Sequence, residues 1–116
     1  MTHFALTYDV VDGFIDKRTP FRPAHLALVR DAHARGELLL AGALGDPPDG
    51  ALLVFRADTV GVVERFVEVD PYVTNGLVKR WSVRPWSVVV GVASPWIASS
   101  SKRSYASGGR PPKTSP

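Results

Sequence analysis

The fold is decided by residues 22–56, RPAHLALVRDAHARGELLLAGALGDPPDGALLVFR. The stretch begins with the periodicity of an amphipathic helix, which predicts a helix over residues 22–35 that ends at Gly36. Two short apolar strands follow, residues 37–45 and 51–56, joined by the turn sequence DPPDG. A helix that leads directly into a β-hairpin is typical of the middle of an α+β domain.

On either side of this stretch the pattern supplies three more elements. Residues 3–8 alternate large apolar side chains with others, as a half-buried strand does. Asp58 or Thr59 is predicted to cap a second helix that runs to about Val69, and residues 77–92 are predicted to be extended. The order is therefore β-α-β-β-α-β, the ferredoxin-like arrangement of one antiparallel four-stranded sheet with both helices on one face.

This arrangement leaves the second face of the sheet uncovered. A bare apolar sheet face tends to meet a copy of itself, which predicts a homodimer in which two sheets form an α/β barrel. In the last strand the apolar side chains change parity after Arg84-Pro85. We expect a β-bulge or kink at those residues that directs the end of the strand towards the partner subunit.

Composition divides the chain into a domain and a tail. With 45% apolar and 22% charged residues, a chain of 116 residues predicts one soluble domain, residues 1–93. These residues carry ten Lys/Arg and eleven Asp/Glu, whereas the other four Lys/Arg are scattered through a Ser/Pro/Gly-rich tail, residues 94–116. The tail is predicted to be disordered, because it has too few apolar residues to bury. This charge distribution predicts no nucleic-acid partner.

Other classes of protein are disfavoured by what the sequence lacks. It has no cysteine, which excludes disulfides and thiolate chemistry and is typical of a cytoplasmic protein. No apolar run is long enough for a signal peptide or a membrane span, so no membrane partner is expected. The three histidines lack metal-ligand spacing, and no phosphate-binding or nucleophile-elbow motif occurs. We therefore expect an enzyme of this sequence to use neither a metal nor another cofactor.

Helical phase turns two polar side chains, His25 and Asp70, towards the sheet. His25 lies about 40° from the centre of the first helix's apolar stripe, and Asp70 continues the stripe of the second helix by one step. His33 falls off the stripe and is expected at the surface. If the first two meet in one cleft, the carboxylate orients a histidine that acts as a general base. The local alternatives are that His25 bonds a backbone carbonyl and that Asp70 caps the turn beginning at Pro71.

Two neighbours of these residues are candidates for substrate binding. Arg22 lies three residues before His25 and can hold an anionic oxygen, and Tyr72 can donate a hydrogen bond to a substrate. Each has a local alternative, because Arg22 can be a solvated first-turn residue and Tyr72 can simply fill the space under the turn.

Four segments, in this order and spacing, resemble the YciI (YCII-related) family: RPAHL at 22–26, GELLLAG at 36–42, DPYV at 70–73 with Gly76, and SVRP at 82–85. The resemblance covers about residues 3–91. It implies a dimeric ferredoxin-like α/β barrel and a His-Asp pair at His25 and Asp70. Members of the family resemble dehydrochlorinases of hydroxylated chloroaromatics, others are related to muconolactone-isomerase types, and many have no known substrate. Ala43 departs from the family, which often has proline there.

The sequence and the resemblance together favour a cofactor-independent lyase or isomerase. The expected substrate is a small cyclic oxygenated compound, chlorinated or not, with His25 as general base, Asp70 as its partner, and Arg22 and Tyr72 as substrate-binding residues. Two alternatives stay open. One is a non-catalytic dimeric domain that binds a small molecule or serves as an accessory module, and the other is a cofactor-free oxygenase, for which the fold gives only analogy.

Overall fold

Four strands form one antiparallel sheet in the computed structural model, which describes residues 1–91. The strands are β1 (Thr2–Val10), β2 (Leu38–Leu44), β3 (Gly50–Ala57) and β4 (Val78–Trp86), and their order across the sheet is β2-β3-β1-β4. The helices are α1 (Phe14–Lys17), α2 (Arg22–Ala34), α3 (Gly61–Val69) and α4 (Pro71–Thr74), with a 3₁₀ turn at Thr19–Phe21. The predicted ferredoxin-like α+β order is confirmed, with the two short helices α1 and α4 added. The tail, residues 94–116, lies outside the described residues.

The core lies between one face of the sheet and the two longer helices. Alternate residues of β1 are buried, and the two at its centre, Leu6 and Phe4, are opposite Leu53 and Phe55 of β3. The helices contribute the rest of the buried apolar cluster, chiefly Ala32 of α2 and Val63, Phe66 and Val67 of α3. The apolar residues that recur every second position in the strands therefore pack against those that recur with the helical period in α2 and α3. No helix within residues 1–91 is both long and apolar enough to cross a membrane.

The second long helix begins later than expected. The predicted cap by Asp58 or Thr59 is wrong, because α3 begins at Gly61 after Val60 and no side chain bonds its first turn. The backbone of Val60 is already helical, and its carbonyl accepts from Glu64 N–H at 3.0 Å. The residue before α3 is thus already part of a helical turn, and no side chain accepts from the free N–H groups at the start of this helix.

The predicted bulge at Arg84-Pro85 is also wrong. Pairing between β1 and β4 continues without a shift through Phe4 opposite Pro85, and the irregularity lies at the other end, between Asp9 and Val10. Because β4 is an edge strand, a proline without an N–H is accommodated there without breaking the pairing. Trp86 is therefore opposite His3 on the face away from the helices, which explains the change of parity. The strand ends at Trp86, earlier than the predicted end at residue 92.

Gly50, the first residue of β3, is expected to tolerate no side chain. A Cβ placed on it would lie 2.7 Å from the backbone carbonyl oxygen of Tyr8, a contact that neither strand can relieve without moving. We predict that Gly50→Ala destabilises the protein by about 1–3 kcal/mol, as overpacking does. Thermal denaturation measures this, with Gly42→Ala on β2 as the matched control, since a Cβ there meets nothing within 4 Å. Equal melting temperatures for the two variants would contradict the prediction.

Candidate active site

Asp70 is a fully buried carboxylate between α3 and α4. Its extended backbone ends α3, and its Oδ1 accepts a hydrogen bond from the backbone N–H of Tyr72 at 3.0 Å. Pro71 occupies the first position of α4, where its missing N–H costs nothing. The local alternative for Asp70, a cap of the short helix that follows, is therefore confirmed.

His25 reaches the same carboxylate from α2. Its Nδ1 lies 2.7 Å from Asp70 Oδ1, and its side chain is 14% exposed. An ionised carboxylate only accepts, so it selects the tautomer in which Nδ1 carries the proton and Nε2 has a free lone pair. The structure thus brings the two predicted residues together, and Asp70 caps α4 and bonds His25 at the same time.

The backbone-carbonyl alternative for His25 is wrong, but another histidine adopts it. His33 Nδ1 lies 2.7 Å from the carbonyl oxygen of Leu38, at the start of β2. His33 is exposed, as expected from its helical phase. The two histidines of α2 therefore have different partners, one a carboxylate and the other a backbone carbonyl.

Tyr8 of β1 is a third partner of the carboxylate. Its hydroxyl donates to Asp70 Oδ2 at 2.7 Å, so both carboxylate oxygens are bonded from within the core. Burial, and then the charge and the hydrogen bond of Asp70, raise the pKa of Tyr8 well above its ordinary value. The hydroxyl therefore remains a donor over the whole physiological pH range, and it helps to hold the carboxylate in place.

The raised pKa of Tyr8 predicts a loss of stability in alkali. Above pH 10 or so, the tyrosine ionises in the unfolded chain but stays protonated in the fold. The unfolded state then binds fewer protons, so the free energy of unfolding falls as the pH rises, by up to about 1.4 kcal/mol per pH unit for this group. Denaturant unfolding at several alkaline pH values should show a shallower fall for Tyr8→Phe than for the wild type. Identical slopes would exclude this role for Tyr8.

Tyr72 contacts His25 through its ring. The two rings are stacked, with centroids 3.7 Å apart and planes 9° from parallel, and Phe14 of α1 meets Tyr72 edge-on at 5.3 Å. Tyr72 therefore has two roles near the pair. Its backbone N–H bonds Asp70, and its ring fixes the plane of the imidazole.

These groups line a cavity of about 210 Å³. Polar side chains on its wall include Tyr8, His25, Tyr72 and the two arginines Arg18 and Arg22. The opposite side is formed by small residues of β2 and β3: Ala41, Gly42, Ala43, Gly50 and Ala51. An arrangement of one histidine on a buried carboxylate, beside a mainly apolar cavity, suits proton transfer to or from a small ligand.

All four predicted site residues lie at this cavity or beneath it, but three of its residues were missed. Tyr8 was interpreted only as a core strand residue, although it is the one inward position of its strand with a polar end. Phe14 and Arg18 lie between the predicted first strand and first helix and belong to no predicted element, because the one-turn helix α1 is too short to show periodicity. Within residues 1–91, no three His, Asp, Glu or Cys side chains are grouped in a way that could hold a metal ion.

The YCII-related domain family matches residues 1–87. The chain belongs to the YciI (YCII-related) family. Protein YciI of Escherichia coli O6:H1 (strain CFT073) is 31% identical over 98 residues, which covers 77% of this chain and 99% of that protein. Protein YciI of Shigella flexneri matches with the same identity and coverage. The predicted family is thus confirmed over the part of the chain that contains the sheet, the helices and the cavity.

Among solved structures, this YciI-family chain resembles 5-chloro-2-hydroxyhydroquinone dehydrochlorinase (TftG) from Burkholderia phenoliruptrix AC1100, in complex with 2,5-dihydroxybenzoquinone. The TM-score is 0.64 at 24% identity, covering 75% of this chain and 95% of the other. Protein SO0527 from Shewanella oneidensis is similar at a TM-score of 0.50 and 15% identity. At these identities the likeness establishes the shared fold.

Proposed function

We propose that this protein is a cofactor-independent lyase or isomerase that acts on a small cyclic oxygenated compound. The observation that carries the proposal is the 2.7 Å contact between His25 Nδ1 and the buried carboxylate of Asp70, at the wall of a cavity of about 210 Å³. A carboxylate in this position stabilises the imidazolium that forms when the histidine takes a proton. The name of the structurally similar TftG dehydrochlorinase supports chlorinated hydroquinones as one substrate class.

The first chemical step is the same for both reactions. His25 Nε2 removes a proton from a ring carbon next to a carbonyl, and the electrons of the C–H bond form an enolate. Arg22, which lines the cavity three residues before His25, stabilises the enolate oxygen. Asp70, bonded to Tyr8 and Tyr72 as well, holds the imidazolium in place during this step.

The second step distinguishes elimination from isomerisation. In elimination, the enolate electrons form a carbon–carbon double bond while chloride leaves the neighbouring carbon with its bonding pair, and the imidazolium then releases its proton to water. In isomerisation, the imidazolium returns the proton to a different ring carbon, and the double bond moves. Both steps use the same histidine, first as a base and then as an acid.

A substrate screen tests this proposal directly. Cyclic enolisable compounds, including 5-chloro-2-hydroxyhydroquinone and unchlorinated analogues, would be incubated with the wild type and with His25→Ala. Chloride release measures elimination, and exchange of ring hydrogens in D₂O, followed by NMR, measures proton abstraction without elimination. The wild type should exceed His25→Ala in at least one of the two. Equal background rates across the screen would instead favour the non-catalytic small-molecule-binding domain.

We further propose that the protein is a homodimer formed through the sheet face away from the helices. Leu40 and Trp86 point to this face and are 70% and 45% exposed, while Val54 lies between Leu40 and the centre of the sheet. The polar part of the face is paired within the chain, since the hydroxyls of Thr7 and Ser82 are 3.0 Å apart. Covering the apolar part with a second copy removes it from water.

Light scattering at micromolar concentration should therefore give the mass of a dimer. Leu40→Glu should shift that mass towards the monomer, because it buries a charge in the proposed interface. Val69→Glu is the matched control, since Val69 is also an exposed apolar residue but lies on α3, on the other side of the sheet. A monomeric mass for the wild type would contradict the proposed dimer.

A further inference from the structure

Within residues 1–91, two arginines of the cavity have no negatively charged partner. Arg18 follows α1, Arg22 begins α2, and both line the cavity. In the part of the chain that the structure describes, neither guanidinium makes an ion pair, whereas Arg35 and Arg80 are each paired with a carboxylate. Each guanidinium has five N–H donors. The cavity wall therefore presents two positive charges with donors to spare.

The hydroxyl of Tyr72 adds a third unused donor. Tyr72 is 4% exposed, and within residues 1–91 its Oη has no hydrogen-bond partner. An unsatisfied buried hydroxyl costs about 1–3 kcal/mol. The ring cannot turn away from the cavity easily, because His25 is stacked on it and Phe14 packs against its edge. An acceptor inside the cavity would remove this cost.

The three donors belong to one part of the wall. The guanidinium carbon of Arg18 lies 5.4 Å from the centroid of the Phe14 ring, and Phe14 in turn contacts Tyr72. Burial raises the pKa of Tyr72, whereas the charges of Arg22 and Arg18 and the hydrogen-bonding interaction of Arg22 with the hydroxyl act against that rise. The carboxylate of Asp70, beneath the cavity, is already bonded to Tyr8, to His25 and to the backbone N–H of Tyr72.

We infer that the substrate carries an ionised oxygen before the reaction begins, and that Arg18, Arg22 and Tyr72 Oη bind this oxygen. The substrate class is a small planar ring with a carboxylate or an ionised enol or phenol group. A cavity of about 150 Å³ accepts benzene, so one of about 210 Å³ has room for one substituted ring. The inference rests on the proposed function in taking this cavity as the substrate site.

A pair of probes that differ only in charge tests the inference. Benzoate and benzamide have the same ring and nearly the same shape, and NMR titration of the full-length protein gives a dissociation constant for each. Benzoate should bind about tenfold or more tightly than benzamide, because its hydrogen bonds to the guanidinium groups are charge-assisted. Equal affinities, or no benzoate-induced shifts at cavity residues at millimolar concentration, would overturn the inference.

Substitutions of the cavity residues test whether these donors cause the preference for benzoate over benzamide. Arg18→Gln and Tyr72→Phe should each weaken benzoate binding several-fold and benzamide binding much less, because the hydrogen bonds that are lost are charge-assisted only with benzoate. Tyr72→Phe keeps the ring contacts and removes only the unpartnered hydroxyl, and Arg18→Gln serves if that variant fails to fold. Arg35→Gln is the control, since its partner is Glu37 and it does not line the cavity. A preference that survives both cavity substitutions would place the anion elsewhere and refute the inference.

The benzoate titration and the substrate screen together separate this inference from the proposed function. If benzoate is preferred but the substrate screen finds no turnover, the anion site stands and the lyase or isomerase proposal fails. If a neutral compound is turned over and benzoate is not preferred, the proposed function stands and the anion site fails.

Discussion

Replacing Asp70 with asparagine is expected to reduce turnover about a thousandfold while the protein remains folded. The amide oxygen can keep the bonds from Tyr72 N–H and His25 Nδ1, and the amide nitrogen can donate to Tyr8 if that hydroxyl rotates. The geometry therefore persists. What disappears is the negative charge that stabilises the imidazolium, so the loss falls on the chemical step.

Asp70→Ala should behave differently, because it leaves three buried donors without an acceptor. Each such donor costs about 1–3 kcal/mol, so this variant should melt far below Asp70→Asn, which loses only about 1 kcal/mol. Thermal denaturation and turnover of the same preparations separate the two effects. Asp9→Asn is the control, since Asp9 forms only a surface ion pair with Arg80. If Asp70→Asn keeps full turnover, the carboxylate is structural and does not serve the reaction.

Replacing His25 with glutamine should abolish measurable turnover, with a loss of at least about a thousandfold, and yield a folded protein. The glutamine amide can still donate to Asp70, which keeps the buried carboxylate satisfied. It cannot accept a proton near neutral pH, so no base remains in the cavity at this position. The expected change in melting temperature is small, because one hydrogen bond replaces another.

The other histidine of α2 provides a matched control. His33→Gln removes an imidazole of the same helix that bonds the carbonyl of Leu38 and does not line the cavity. It should lower stability slightly and leave turnover at the wild-type level. Equal loss of turnover in both variants would show that the helix was disturbed and that His25 has no special role.

Sequence reasoning selected the pair from two sources, the helical phase of His25 and Asp70 and the resemblance to the YciI family. The apolar stripes of α2 and α3 both face the sheet, which allows the inward polar residues His25 and Asp70 to meet in one cleft, and the resemblance implies that they do. The cap of α4 by Asp70 was expected only as an alternative to the pair, since Asp followed by Pro is a helix-start pattern, and the structure shows both together. The phase of each helix and the cap of α4 depend on neighbours close along the chain, whereas the contact between His25 and Asp70 spans 45 positions and was implied by the family resemblance.

What sequence reasoning missed depends on residues far apart. Alternation shows that Tyr8 points inward, but it does not show that a carboxylate 62 positions later lies opposite its hydroxyl. Arg18 reaches the cavity through a single helical turn, which has no period to detect. At Pro85 the change of parity was attributed to a bulge, whereas the edge position of β4 lets the strand continue without one.

Asp70 and His25 differ in how much the fold depends on them. Selection for a stable fold alone favours a side-chain acceptor at position 70, because the cap of α4 and the bond from Tyr8 both use it. His25 has no such structural obligation, since it lies at the cavity wall with its side chain partly exposed. We therefore expect that a relative that only binds its ligand tolerates substitution of the histidine more readily than substitution of the aspartate. Retention of the histidine, and not of the pair, marks the members worth assaying.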